Sequence, residues 1–92
     1  MFSPADRVII FLGAYFTEEA HRENQVLRNK AVLAALTPTP IHQRHLISGF
    51  EWLCGTRYLS LLPFFPVLLK YLYDEDLLDE DTIISWHTDY AR

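Results

Sequence analysis

The chain has 92 residues and a mass of 10.8 kDa, is half apolar, 14% aromatic and 22% charged, and so is neither disordered, collagen-like nor low-complexity. A formal net charge of −4 and a pI near 5.4 disfavour broad electrostatic capture of nucleic acid or of an acidic membrane. A single cysteine, Cys54, excludes an intramolecular disulfide framework and fits a reducing compartment.

The elements read as helical nearly throughout, because glycine is scarce, Asn-Gly and Asp-Gly turns are missing, and no segment alternates with a period of two. Ser3-Pro4-Ala5-Asp6 is a helix start, with Ser3 as N-cap, Pro4 in the first turn and Asp6 as its capping-box partner. Val8, Leu12, Tyr15 and Phe16 then form an apolar stripe at helical spacing, widened by Ile9 and Phe11. Thr17-Glu18-Glu19 is expected to open a second helix, its acids placed well against the helix dipole. Leu27, Ala31, Ala34 and Ala35 mark the expected buried side of that helix, the alanines allowing a neighbour to approach closely.

Thr37-Pro38-Thr39-Pro40 breaks the chain, and Thr39 is expected to cap a third helix. Ile47, Phe50 and Cys54 share a face of it, with Leu46 and Leu53 beside them and Gly55 as the stop signal. A fourth helix follows from Pro63, its regular hydrogen bonding beginning about Pro66 and running through Tyr73. Leu77 and Leu78 separate two acid clusters, and Asp79 is placed to cap a fifth helix with Ile83, Ile84 and Trp86 inside. Short turns between such helices predict an all-α fold of antiparallel helix pairs, as in an α-solenoid. No basic region precedes the first apolar run, so no secretory leader is expected. Residues 58–69 are nearly uncharged but carry Pro63 and Pro66 and fall short of the ~20 residues of a membrane span. A soluble intracellular protein is the expectation.

Charge is unevenly distributed. Residues 1–70 carry seven basic and five acidic side chains, whereas residues 71–92 carry seven acids against Arg92 alone. Asp74, Glu75, Asp76, Asp79, Glu80 and Asp81 fail as a calcium loop, because a loop starting at Asp74 has Asp79 where glycine is needed and Ser85 where glutamate is needed. His42 and His45 are three residues apart, but no second ligand pair accompanies them, so no metal site is expected. Cys54 beside Trp52, Leu53 and Gly55 reads as a packed thiol, and a small hydrolase using His42, His45 and Cys54 is the weaker alternative. No cofactor and no catalytic residue is expected. Tyr71, Tyr73 and Trp86 bracket the six acids, and this mixture of aromatic faces and carboxylates complements a lysine-rich peptide.

The segment from Tyr71 to Trp86, with its tyrosine-acid cluster, Leu77-Leu78, second acid cluster and Ile83-Ile84-Ser85-Trp86, resembles the first aromatic/acidic box of the W2-type HEAT-like domain. That domain ends eukaryotic translation initiation factor 5, the epsilon subunit of initiation factor 2B and large forms of initiation factor 4G. Upstream, Val8 to Phe16, His45 to Glu51 and Leu61 to Lys70 also follow the family pattern, and the spacing suits the factor 5 branch best, with the 2B epsilon branch next. The resemblance implies one cytoplasmic interaction domain over residues 1–92, incomplete at its C-terminal end, since the family carries a second box on a later helix. It implies partner contact through Tyr71, Tyr73, Asp74, Glu75, Asp76, Asp79, Glu80, Asp81 and Trp86. The implied partners are the lysine-rich tail of the initiation factor 2 beta subunit and, through other surfaces, initiation factors 1 and 3 in the small ribosomal subunit complex. In the epsilon branch the same fold would support guanine-nucleotide exchange. The arginine linked to GTP hydrolysis in factor 5 belongs to a separate amino-terminal domain, so no catalytic residue carries over. The second helix departs from its often basic relatives: Glu18, Glu19, His21, Arg22, Glu23, Arg28 and Lys30 are mixed in sign.

Overall fold

A computed structural model describes residues 3–22 and 25–90; Glu23 of the mixed-sign segment and Arg92 of the acidic quarter lie outside the described residues. The architecture is all-α, as expected, with no strand among the described residues. Helix α1 spans Pro4–Tyr15 and opens on the expected capping box: the Ser3 Oγ accepts the Asp6 N–H at 3.1 Å, and the Asp6 carboxylate accepts the Ser3 N–H at 3.4 Å. Val8, Leu12 and Phe16 are buried, but Tyr15 is 62% exposed. The cause is the C-cap: Phe16 leaves the helix in an extended conformation and turns into the core, while Tyr15 stays outside, stacked on Phe11 at 4.8 Å.

The second helix does not begin at Thr17. Its hydroxyl accepts the Glu19 N–H within a tight turn, the local alternative that threonine offers the backbone. Gln25 then locks the segment: its side chain accepts the Thr17 N–H and donates to the Thr17 hydroxyl, both at 2.9 Å. Two short helices follow, α2 (Gln25–Arg28) and α3 (Lys30–Leu36), offset at Asn29, whose side chain donates to the Gln25 carbonyl at 2.8 Å. The offset rotates the expected face away from the core. Val26 and Leu33 are buried, whereas Leu27 is 50% exposed and Ala31, Ala34 and Ala35 face outward.

Helix α4 (Pro40–Trp52) is the centre of the fold and packs on α1 and on the two α-helices that follow it. Close approach comes from Gly49 rather than from the alanines: a Cβ there would lie 2.6 Å from Val8 Cγ1 and 3.0 Å from Leu12 Cδ1. Leu46, Ile47, Phe50, Leu53 and Cys54 are fully buried, as their spacing predicts. Gly55 does not stop the helix. The chain widens into a π-helical turn, Leu53–Arg57, closed by the Tyr58 N–H on the Leu53 carbonyl at 2.7 Å. A 3₁₀ segment (Leu59–Phe64) carries Pro63, and α5 (Phe65–Asp74) begins one residue before Pro66, as expected. Leu68 and Leu72 bury one face of α5. Asp76 then takes the left-handed conformation, φ 61°, and sends Leu77 and Leu78 back into the core before α6 (Glu80–Tyr90).

Candidate functional site

The six acids divide around the buried Leu77-Leu78 pair, which fixes the loop between α5 and α6. Asp74 ends α5, and its carboxylate meets Lys70 one turn earlier at 3.3 Å. Glu75 reaches Lys30 on α3 at 3.3 Å and is the least exposed of the six. Asp79 is clamped to α4 from both ends of a glutamine: its N–H donates to the Gln43 side-chain oxygen at 2.8 Å, and its carboxylate accepts the Gln43 amide at 3.2 Å. Asp76, Glu80 and Asp81 are exposed, and among the described residues no ion pair reaches them. Arg44, the nearby arginine of α4, pairs instead with Asp89 at 2.8 Å, further along α6.

The aromatics also divide. Tyr71 is half-buried and donates its hydroxyl to the His21 carbonyl at 3.3 Å, which anchors α5 to the turn after α1. Tyr73 is 45% exposed beside a groove between α5 and α6 of about 560 Å³, lined by Pro66, Leu69, Lys70, Tyr73, Glu80, Ile83 and Ile84. Ile84 belongs to this surface: it is 55% exposed, because Thr82 and not Ile84 takes the buried position on α6. Trp86 is half-buried, packs edge-on against Phe65 at 5.8 Å, and donates its indole N–H to Glu51 on α4 at 3.0 Å.

The groove and carboxylates together suit a lysine side chain, whose methylenes lie on apolar surface while its ammonium reaches an acid. Glu51 and Gln43 escaped sequence reading because each acts across more than thirty residues of chain; no local pattern marks them. Burial pushes the Cys54 thiol up to about 11, so it stays protonated at neutral pH and is a poor nucleophile. His42 Nδ1 lies 2.6 Å from the Thr39 hydroxyl, which therefore engages the imidazole instead of capping α4. Among the described residues no group of three His, Cys, Asp or Glu side chains is arranged to hold a metal, and no helix is long and apolar enough to cross a membrane.

Residues 42–92, from the start of α4 through the box, match the W2 family, described as eIF4-gamma/eIF5/eIF2-epsilon. The chain is 36% identical to eukaryotic translation initiation factor 5 of Zea mays over 97% of its own length and 18% of that protein's. It is 26% identical to the factor 5 of Saccharomyces cerevisiae over 75% of the chain and 17% of the relative. Against the factor 5 of Mus musculus the identity is 43%, over 48% of the chain and 10% of the relative. The chain thus spans less than a fifth of the length of these curated relatives. No solved structure matches it. The aromatic/acidic segment, its leucine pair and the helices on both sides all fall within the matched residues, and the chain belongs to the W2 family.

Proposed function

We propose that this chain is a protein-interaction domain of a translation initiation factor of the factor 5 kind, and that its α5–α6 face docks lysine-rich segments. The intended partner is the basic tail of the initiation factor 2 beta subunit, with initiation factors 1 and 3 engaged through other surfaces during assembly on the small ribosomal subunit, in the cytoplasm. One observation carries the reading: Glu80 stands exposed on the wall of an apolar groove that also presents Tyr73 and Ile84, Asp76 and Asp81 are exposed close by in sequence, and among the described residues no ion pair reaches any of the three. An extended cationic segment laid along the groove would place successive side chains about 7 Å apart on one side, enough for several ammonium groups to act together. Each exposed pair contributes only ~0–1 kcal/mol, so affinity comes from their number and weakens with salt.

None of the three open carboxylates belongs to the buried apolar core, so neutralising them leaves that core in place. We assign no catalysis to it, consistent with the protonated Cys54. The test is the triple variant Asp76→Asn, Glu80→Gln and Asp81→Asn titrated calorimetrically with an oligolysine peptide at low salt. Asparagine tolerates the left-handed φ of Asp76, and the two other changes keep side-chain shape. The variant is expected to keep the helical circular dichroism and to bind roughly five- to hundredfold more weakly, three lost pairs corresponding to ~1–3 kcal/mol. Undiminished affinity would refute the docking role.

A further inference from the structure

Beyond the acidic box lies a second pocket, of about 310 Å³, walled by Trp86 on α6, Phe65 on α5, Leu62 of the 3₁₀ segment, Cys54 and Gly55 of the π turn, and Glu51 of α4. Its volume is at the lower end for a small-molecule site and suits a single long side chain. Its walls are aromatic and aliphatic, and its charge is one carboxylate. Glu51 Oε1 is fixed by the Trp86 indole at 3.0 Å, and among the described residues no lysine or arginine pairs with the group.

We infer that this pocket takes one lysine or arginine side chain of the same basic segment that occupies the acidic face, with Glu51 as counter-ion and the Trp86 and Phe65 rings as its walls. The inference rests on the docking role proposed above. Continuity argues for it. The groove is lined by Pro66 and Ile83; the pocket is lined by Phe65, the preceding residue on α5, and by Trp86, three residues further along α6. Three residues of helix rise about 4.5 Å, less than the ~7 Å between alternate side chains of an extended peptide, so a chain leaving the groove along α6 has its next same-side residue within reach of the pocket. Charge complementarity selects the occupant. A neutral apolar side chain would leave the Glu51 carboxylate facing hydrocarbon without a cation, which is costly, whereas a basic one gives it a partner and places its methylenes against Leu62 and the rings. Glu51 thus joins the box chemically although it lies outside it in sequence.

Two variants separate charge from space. Glu51→Gln removes the charge while keeping an oxygen to accept the indole N–H. Gly55→Leu adds bulk to a lining position where a Cβ meets no atom within 4 Å and the glycine φ is not positive, so the backbone admits it. Each is titrated with oligolysine at low salt beside Glu18→Gln, an equal charge change at an exposed site on another part of the chain, while the Trp86 indole N–H is followed by NMR. Both pocket variants are expected to bind about three- to tenfold more weakly than Glu18→Gln, and the indole resonance of the wild type to shift on titration. If both bind as tightly as Glu18→Gln while the triple box variant loses affinity, the pocket is empty in the complex and the inference falls, leaving the docking role intact. If the wild type itself fails to bind oligolysine, both fall.

Discussion

Two of the box carboxylates are already occupied by the protein's own cations, and this leads to an unusual prediction: removing positive charge from the domain near the box should strengthen capture of a cationic partner more than the change in net charge explains. Lys70 holds Asp74 and Lys30 holds Glu75, each at 3.3 Å, and all four groups are partly in solvent. Such pairs contribute only ~0–1 kcal/mol apiece, so Lys30→Met with Lys70→Met costs the fold little while keeping the methylene stems in place. The double variant frees two carboxylates and removes a cation from the wall of the α5–α6 groove, which Lys70 lines. Taking about 0.5 kcal/mol for each freed group, oligolysine should bind roughly fivefold more tightly at low salt. The reference is Arg7→Met with Arg57→Met, which removes the same two charges outside the box and should give a smaller gain. Calorimetric titration at low and high salt decides it, because the gain must shrink as the Debye length falls. A lysine double variant that binds no better than this arginine pair at low salt would show that Asp74 and Glu75 take no part in docking.

Two further predictions concern the core. Gly49→Ala should gain helix propensity of ~1 kcal/mol, yet the new Cβ would lie 2.6 Å from the stiff, β-branched Val8, so overpacking of about 1–3 kcal/mol wins and the urea midpoint falls. Adding Val8→Ala should then cost less than the sum of the single changes, and strict additivity would place the contact elsewhere. Cys54 sets a pH dependence: its thiol is raised from 9.0 to about 11 in the fold, so the folded state holds a proton that the unfolded chain releases between those values. Stability is therefore fully present below pH 9.0 and declines towards pH 11, by about 2–3 kcal/mol relative to Cys54→Ala measured alongside. Parallel curves for the two proteins across that window would contradict the burial of the thiol.

Local chemistry carried much of the fold. The capping box at Ser3 and Asp6, the proline start at Pro40 and the delayed start of α5 at Pro66 each depend on residues within one turn of one another, and each appears where the sequence places it. The family, too, is readable from the box together with the upstream stretches that follow its pattern. Errors arise where a distant partner overrides local preference. Thr17 and two following acids form a sound helix start, but Gln25 supplies hydrogen bonds that stabilise a turn instead. Ala31, Ala34 and Ala35 look like a packing stripe until the break at Asn29 turns them outward. Gly55 has the composition of a helix stop, yet the π turn absorbs an extra residue and lets Leu53 and Cys54 both remain buried before the chain turns at Tyr58.

The acidic run itself was legible as composition but not as geometry, and the difference bears on function. Six carboxylates within eight residues suggest a uniform field, whereas the fold assigns them unequal tasks. The first cluster closes α5 and ties it through Lys30 to α3; Asp79 fastens the start of α6 to α4 through Gln43; Asp76, Glu80 and Asp81 are left to solvent. Leu77 and Leu78 enforce that partition, since burying both requires the left-handed turn at Asp76 and fixes which side the next acids face. Replacing either leucine with alanine would remove ~2–5 kcal/mol of burial and loosen the loop that aims the open carboxylates, so binding would fall without any loss of charge. In the docking role proposed for this face, charge would supply the attraction, and the apolar pair would determine where that attraction points.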